Sequence, residues 1–337
     1  MTPADSSALV APGRRTFVQQ LLTVGAAATL LPDSALADPY QPWHLPPGPG
    51  PRRIVRVRGT VSSEGRGVPR VAVSDGISVV DTDQRGEFTL VTTSDREHVF
   101  ITVPRGYRLP VSARSLVRHF QPLQPNAAGE AQAHFRLERL PTSDDRHTML
   151  VLADIQTEDA REMGRFNDET MPDLVQTVRT LGDQSVFSVS CGDIVFDQLG
   201  LFEDYEKAMQ RLGIPAFQVI GNHDLDKDGY TWESGGKSFR TRFGPTYYSF
   251  DRGRVHYVIL DNVFWHGGGY IGYLDASQLA WLEQDLARVT PGSPVVVLLH
   301  IPVEGTRSIR AGGPRHTPGG STANRDYLYK LLAPFKS

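Results

Sequence analysis

Four short polar segments carry the side chains of this sequence that are best suited to chemistry. Each segment follows an apolar run that is typical of a buried parallel strand. The runs are Thr148 to Ala153, Val186 to Ser190, Ala216 to Ile220 and Val295 to Leu299. The polar residues at their ends are Asp154, Gln156, Asp193, Asn222 and His300. Because open α/β sheets bind ligands beyond the carboxyl ends of their strands, we expect one shared site. Carboxylate, carboxamide and imidazole groups together indicate a metal site.

Each of these residues has a commoner role when it stands alone. A single aspartate such as Asp154 is more often a helix N-cap or a turn residue. Asn222 would usually form a turn, and His300 would usually be a hydrogen-bonded core histidine. We favour the metal site because residues of this kind end four strands in a row, which the commoner roles explain only as coincidence.

Two hydrophobic periodicities divide the chain. Between Arg53 and Leu140, apolar residues alternate with polar ones and with glycine-containing turns, which predicts an all-β sandwich. From His147 onward, strand-like runs alternate with helical patterns, which predicts an α/β domain. Its predicted helices include Phe202 to Leu212, and Leu274 to Val289 with Ser277 as the N-cap. A long polar loop is predicted from Leu225 to Thr241.

The N-terminus has the pattern of an export signal. Arg14-Arg15 precedes an apolar stretch from Leu21 to Leu31 and a small-x-small site at Ala35-Leu36-Ala37, which is typical of a twin-arginine signal peptide. At about 11 residues, the stretch is too short to span a bilayer. We expect a periplasmic or extracellular protein; an amphipathic start or a lipid-facing anchor remains the alternative.

The predicted organisation is a signal peptide over 1–37, a proline-rich linker over 38–52, a β-sandwich over 53–140 and an α/β domain over 147–337. With 35 basic and 38 acidic residues, the net charge of -3 gives no indication of a nucleic-acid partner. The one cysteine, Cys191, excludes an intrachain disulfide, and we interpret it as a small buried residue. We predict no membrane span in the mature chain.

Residues 147 to 337 resemble the calcineurin-like metallophosphoesterase superfamily. The family's D-x-H, G-D-x-x-(x)-D and G-N-H-D/E motifs have counterparts, in order, in Asp154-Ile155-Gln156, Gly192 to Asp197 and Gly221-Asn222-His223-Asp224, followed by the lone His300. Further stretches make the chain similar, more narrowly, to the exported branch with an N-terminal β-sandwich; they are Gly59-Thr60-Val61, Gly65 to Pro69, Thr82 to Phe88, Leu260-Asp261-Asn262 and Gln278 to Leu282. The fold implied is a β-sandwich followed by a metallophosphoesterase domain in which helices flank a sandwich of β-sheets.

This resemblance implies hydrolysis of a phosphate mono- or diester with two divalent ions, which could be Mn, Fe or Zn. Two such ions, about 3.5–4 Å apart, clamp the phosphate oxygens and bind the attacking hydroxide. Asp193 would bridge the ions; Asp154 and Gln156 would bind the first, and Asn222 and His300 the second. Gln156 stands where the family commonly has histidine, so the metal is harder to predict.

The implied catalytic residues are His223 and Asp224. His223 follows the ligand Asn222 and precedes Asp224, a spacing that lets the imidazole face the substrate while a carboxylate orients its ring; His223 would stabilise the transferring phosphoryl group or protonate the leaving oxygen. Asp197 would hold the loop or a ligand from outside the ligand shell. A small phosphate ester is the expected substrate, and the loops carrying Tyr230, Trp232, Trp265 and Tyr270 are expected to line its pocket.

The family's final G-H-x-H motif does not occur after His300. We therefore expect a C-terminally incomplete domain with weak metal binding and weak activity. Substitution of His316 for a missing ligand is a less favoured alternative. A different class of function also stays open, namely an envelope binding protein whose phosphoesterase half is a relic. A nuclease of the same superfamily would need a basic groove, which the charge does not support.

Overall fold

The computed structural model describes residues 52–182, 184–305 and 319–337. The predicted signal peptide, most of the predicted linker and His316 lie outside the described residues. Over the described ranges, no helix has both the length and the apolar character needed to cross a membrane.

Two four-stranded sheets form the N-terminal half and confirm the predicted sandwich. In the first, β1 pairs with β2 and β5 antiparallel and with β8 parallel; in the second, the order is β4-β3-β6-β7. The strands are β1 Ile54–Ser63, β2 Arg66–Gly67, β3 Ala72–Ser74, β4 Val79–Asp81, β5 Glu87–Thr93, β6 His98–Ile101, β7 Phe120–Pro122 and β8 Glu130–Arg136. Alternation fixes the faces of β1, because Val55, Val57 and Val61 are buried whereas Arg56 and Arg58 are exposed.

Two three-stranded sheets form the centre of the second half. The first has the parallel order β11-β10-β9, and the second has the order β12-β13-β16, in which β13 and β16 run parallel. The strands are β9 His147–Leu152, β10 Ser185–Cys191, β11 Ala216–Val219, β12 Tyr248–Arg252, β13 Val255–Ile259, a hairpin of β14 Val263–Trp265 and β15 Tyr270–Gly272, and β16 Val295–Leu298. The four strands predicted to end at the site are thereby confirmed.

Helices flank both central sheets. They are α1 Ala160–Arg165, a π-helical turn Phe166–Thr170, α2 Met171–Thr180, a 3₁₀ turn Leu199–Leu201, α3 Phe202–Leu212, α4 Trp232–Gly235, α5 Lys237–Phe243, α6 Ala276–Leu286 and α7 Arg325–Leu332. Helix α3 begins and ends as predicted. Two expectations were wrong: the N-cap of α6 is Asp275, whose carboxylate accepts the N–H of Ser277, and the predicted loop after Leu225 contains α4 and α5.

Aromatic rings fill the space between the two central sheets. Phe217 of the first sheet stacks on Phe250 of the second with ring centroids 3.9 Å apart, and Phe187 meets Phe250 edge-on. Phe202 and Tyr205 of α3 belong to the hydrophobic cluster on the outer side of the first sheet. Because the β9, β10 and β11 strands are parallel, their carboxyl ends reach the same edge of that sheet.

The sandwich packs continuously onto the second half. Val103 forms a bridge with Phe250, at β12, and Leu116 forms a bridge with Ala216, where β11 begins. One cluster of buried apolar residues includes strands of the sandwich as well as β10 to β13. The two halves thus share a hydrophobic core.

Candidate metal centre

The structure brings the predicted ligands together at the carboxyl ends of the strands. Ligand atoms of Asp154, Asp193 and His300 all lie within 4.8 Å of one another. Asn222 Oδ1 lies 3.1 Å from His300 Nε2, and Gln156 Nε2 lies 2.9 Å from Asp193 Oδ2. Asp193 and Asn222 are only 2% and 8% exposed, whereas Asp154 is exposed. The cluster therefore opens to solvent on the side of Asp154.

The donor set fits a divalent cation. His300 donates its Nδ1 hydrogen to the carbonyl oxygen of Cys191 at 3.0 Å, so the ring in its neutral form presents the lone pair of Nε2. That nitrogen faces Asp193 Oδ1 at 3.2 Å and Asn222 Oδ1 at 3.1 Å. Acceptor atoms that converge in this way repel one another unless a cation or a proton lies between them. The Gln156 carboxamide brings an oxygen on the same group, so all five residues can contribute a ligand atom.

Asp193 is the charge at the centre of this cluster. Its burial acts to raise the pKa of the carboxyl, but a proton on Nε2 of His300, the backbone N–H of His223 and the Gln156 amide all contact the carboxylate, outweigh that effect and lower the pKa. The carboxylate is consequently ionised at neutral pH and is available to bind cations.

The backbone at the site adopts a conformation that most residues avoid. Asp154, Gln156 and Asp193 have φ angles of 51°, 49° and 50°, in the left-handed region. A backbone hydrogen bond from Gln156 N to Asp193 O, 2.8 Å long, ties the first two segments together. Such strain costs on the order of 1–3 kcal/mol per residue and is concentrated at functional sites.

Two glycines allow the motif segments to approach each other. A Cβ on Gly192 would lie 2.4 Å from His300 Nδ1, and a Cβ on Gly221 would lie 2.0 Å from the backbone nitrogen of Asp193. The glycine before Asp193 and the one before Asn222 are thus explained by the close contact of distant strands. No other residue fits these positions without moving a ligand.

Two contacts hold the ring of His223 beside the cluster. Its ring stacks on Phe196, with centroids 3.9 Å apart and planes 20° apart. Its Nδ1 donates to Asp197 Oδ1 at 2.9 Å, which leaves Nε2 directed towards the cluster, 4.0 Å from Asp193 Oδ2. Phe196 and Lys227, which lies 3.0 Å from Asp197 Oδ1, were missed from the sequence. The only available signal for Lys227 was a basic residue close behind a polar motif.

Asp224 has a different place from the one expected. It is fully buried, and its carboxylate accepts the backbone N–H groups of Val195 and Gly221 at 3.2 and 2.9 Å. Burial raises the pKa of Asp224 to about 7. The carboxylate that orients His223 is therefore Asp197, and Asp224 instead fixes the loops that carry the ligands.

The four aromatic residues predicted to line a substrate pocket separate in the structure. Of the four, Tyr270 is close enough to the site for the charge of Asp193 to affect it: burial is the larger cause and the Asp193 charge the smaller cause of the raised pKa of Tyr270. Trp232 donates to Asp261 Oδ2 at 3.2 Å beside the sandwich. Trp265 is buried and donates to the carbonyl of Gly229, and Tyr230 is 64% exposed.

Cys191 is part-buried, and burial raises the pKa of its thiol to about 11, which is consistent with an unreactive residue.

Comparison with known families agrees with this geometry. A family model for the calcineurin-like phosphoesterase matches residues 147–334, and a model for the N-terminal region of calcineurin-like phosphoesterases matches residues 55–140. The chain belongs to the calcineurin-like phosphoesterase family. Family membership supports a hydrolase of phosphate esters, as the resemblance implied.

Individual relatives of the chain are distant. Purple acid phosphatase 23 of Arabidopsis thaliana is 30% identical over 129 residues, which are 33% of this chain and 26% of that protein. The human serine/threonine-protein phosphatase CPPED1 is 30% identical over 139 residues, 38% of this chain and 44% of that protein. The matched segments thus span less than half of these relatives. The solved purple acid phosphatase PPD1 of yellow lupin aligns with a TM-score of 0.38 at 14% identity, covering 78% of this chain and 51% of that one.

Proposed function

We propose that the protein is an exported phosphoesterase that hydrolyses a small phosphate mono- or diester with two divalent metal ions. The observation that carries this proposal is the convergence of Asp154, Gln156, Asp193, Asn222 and His300 at the strand ends, with His223 beside them. Bound ions of this kind polarise the phosphoryl oxygens and supply a nucleophile at neutral pH. Mn, Fe and Zn are the candidate metals.

Within this arrangement, Asp193 would contact both ions, Asp154 and Gln156 would bind one, and Asn222 and His300 would bind the other. Cys191 would set the ring orientation and tautomer of His300 through its carbonyl oxygen.

His223 carries the proton chemistry in this proposal. Asp197 accepts the Nδ1 hydrogen, so Nε2 is the atom that gains or releases a proton on the substrate side. The protonated Nε2 donates its hydrogen to the leaving oxygen. This proton neutralises the negative charge that the oxygen gains as the ester bond breaks. Stacking on Phe196 keeps the ring plane fixed during that transfer.

An Asp193→Asn substitution tests the site. We expect it to lower the manganese content of the protein. Hydrolysis of 4-nitrophenyl phosphate and of bis(4-nitrophenyl) phosphate should fall by more than about 100-fold, since even the loss of a residue outside the ligand shell costs 10–100-fold in metal affinity or activity. Asp173→Asn on the exposed face of α2 is the matched control and should change neither. Full activity of the Asp193 variant would refute the site. A wild-type protein that binds well under one ion per chain would favour the relic binding protein instead.

Export is proposed from the twin-arginine pattern at Arg14-Arg15. In a bacterium with a twin-arginine pathway, a reporter fused behind residues 1–52 should reach the periplasm, and replacing both arginines by lysine should retain it in the cytoplasm. Export that is unaffected by this change would contradict the proposed route.

A further inference from the structure

Lys227 extends the row of contacts that orients His223. Its ammonium nitrogen lies 3.0 Å from Asp197 Oδ1, and the same oxygen accepts the Nδ1 hydrogen of His223 at 2.9 Å. A single carboxylate oxygen thus joins a fixed positive charge to the imidazole. The backbone adds a further link, because Asp197 N donates to His223 O at 3.1 Å.

Lys227 is itself held in place from its other side. Its ammonium group lies over the ring of Trp265, 5.6 Å from the centroid, in the geometry of a cation–π contact. Trp265 is buried, and its indole N–H donates to the carbonyl of Gly229, two residues after Lys227. The indole therefore supports both the lysine and the turn that carries it.

The ring of His223 needs such a support. Stacking on Phe196 fixes the plane of the imidazole but allows it to slide and turn within that plane. The Asp197 contact removes this freedom only while the carboxylate stays in one rotamer. The Asp197 side chain is 38% exposed, and Lys227 is the cation that contacts the same carboxylate oxygen as His223.

We propose that Lys227 is a positioning residue for the phosphoesterase reaction: it holds the carboxylate of Asp197 against Nδ1 of His223 and so keeps Nε2 directed at the leaving oxygen. This inference rests on the proposed function and on the acid role given to His223. It assigns a role in turnover to a lysine that is not one of the predicted ligands and that acts on His223 through Asp197.

Two other roles for Lys227 give different results. A lysine that binds the substrate phosphate directly would chiefly affect KM, and equally for good and poor leaving groups. A lysine in an ordinary surface ion pair would affect neither constant, because such pairs contribute little. A positioning residue affects kcat, and most strongly for poor leaving groups that need a proton.

The test uses Lys227→Met in the full chain loaded with manganese, with phenyl phosphate and 4-nitrophenyl phosphate as poor and good leaving groups. We expect kcat for phenyl phosphate to fall about tenfold, a fraction of the 10²–10⁴-fold of general acid catalysis, with a smaller loss for 4-nitrophenyl phosphate and little change in KM. Lys227→Arg should restore most of the rate, since it keeps the charge and the ring contact. Lys237→Met, in the exposed part of α5, is the matched control.

Coupling to Asp197 is the decisive comparison. Adding Lys227→Met to Asp197→Asn should cause little further loss, because both changes release the same contact. If the losses of kcat in the two single variants multiply in the double variant, the proposal is overturned. A change of Lys227→Met that is confined to KM, or an effect no larger than that of Lys237→Met, would also overturn it.

An NMR measurement on metal-free protein tests the contact without any turnover. The Nδ1 proton of His223, assigned by its loss in His223→Asn, should be observable in the wild type and should broaden or disappear in Lys227→Met. Retention of this signal in the variant would refute the positioning role. An inactive wild type with the expected NMR result would refute only the proposed function.

Discussion

Replacing Gly192 by alanine should separate the cost of an unusual backbone from the cost of a misplaced ligand. Gly192 has a φ angle of 82°, and a Cβ at this position would lie 2.4, 2.6 and 2.8 Å from Nδ1, Cγ and Cβ of His300. These are the ring base and stem of a side chain that is already bonded to the carbonyl of Cys191. The ring cannot move away without losing that bond and its approach to Asp193.

Gly213, which follows α3, provides the matched control. Its φ angle is 74°, and a Cβ there would meet nothing within 4 Å. Gly213→Ala should therefore cost only the left-handed conformation, about 1 kcal/mol of unfolding free energy after the smaller entropy of the unfolded chain is counted. Gly192→Ala should cost the same plus about 1–3 kcal/mol for overpacking, or roughly 2–4 kcal/mol in total.

Urea unfolding of the metal-free proteins measures these free energies, and manganese content and hydrolysis measure the site. We expect Gly213→Ala to retain both site properties and Gly192→Ala to lose most of both, because His300 is displaced. Equal destabilisation of the two variants, with metal content unchanged in both, would show that the close contact between Gly192 and His300 does not constrain the site.

Two further predictions concern residues away from the metal centre. Burial acts to lower the pKa of His256, but contacts of 2.8 Å with Asp285 and Asp251 raise it to about 10. The stabilisation from its charged form is complete below about pH 6.5 and is lost as the pH rises towards 10, so the urea midpoint should fall over that window in the wild type and stay level in His256→Gln. Gln284 accepts from Val79 N and donates to Ile77 O across the boundary with the sandwich, so Gln284→Ala should cost about 1–2 kcal/mol in urea unfolding while Glu283→Ala costs little. If Gln284→Ala unfolds at the same urea concentration as the wild type, or in two separate transitions, the result would contradict a shared core.

The sequence was sufficient to predict which strands meet at the site. Apolar runs such as Val186 to Ser190 marked buried strands, and the geometry of parallel sheets places their carboxyl ends together. That reasoning needs no detailed contacts, so it located Asp154, Asp193 and His300 in one cluster. Membership of a family supplied only the roles that the resemblance implied.

The local backbone at the site could not be predicted in the same way. Nothing in the sequence around Gln156 indicates a left-handed conformation, since long side chains disfavour it. Hydrogen bonds between distant segments impose it, including the one from Gln156 N to Asp193 O. The orienting carboxylate of His223 was misjudged for a related reason: Asp224 is adjacent in sequence, but its side chain turns inward and Asp197 makes the contact.

Helices α4 and α5 escaped prediction because their stability comes from packing. The segment after Leu225 is rich in glycine and aspartate, and short helices of such composition are unstable in isolation. Phe239 and Phe243 of α5 pack edge-on and tilted against each other and against Phe202 of α3, which fixes the helix in the fold. Only the tertiary structure provides these partners.

The β-sandwich is better explained as part of the catalytic fold than as a separate recognition module. Independent domains usually meet through limited interfaces that are more polar than a core. Here the interface between the sandwich and the α/β region is apolar: aromatic rings surround His119, including Phe100 of the sandwich and Tyr248 of β12. Burial lowers the pKa of this histidine to about 3. Leu116 also pairs with Ala216, the first residue of the strand that leads to Asn222. Because the sandwich fixes the start of a strand whose far end carries a predicted ligand, it contributes to the geometry of the candidate metal centre.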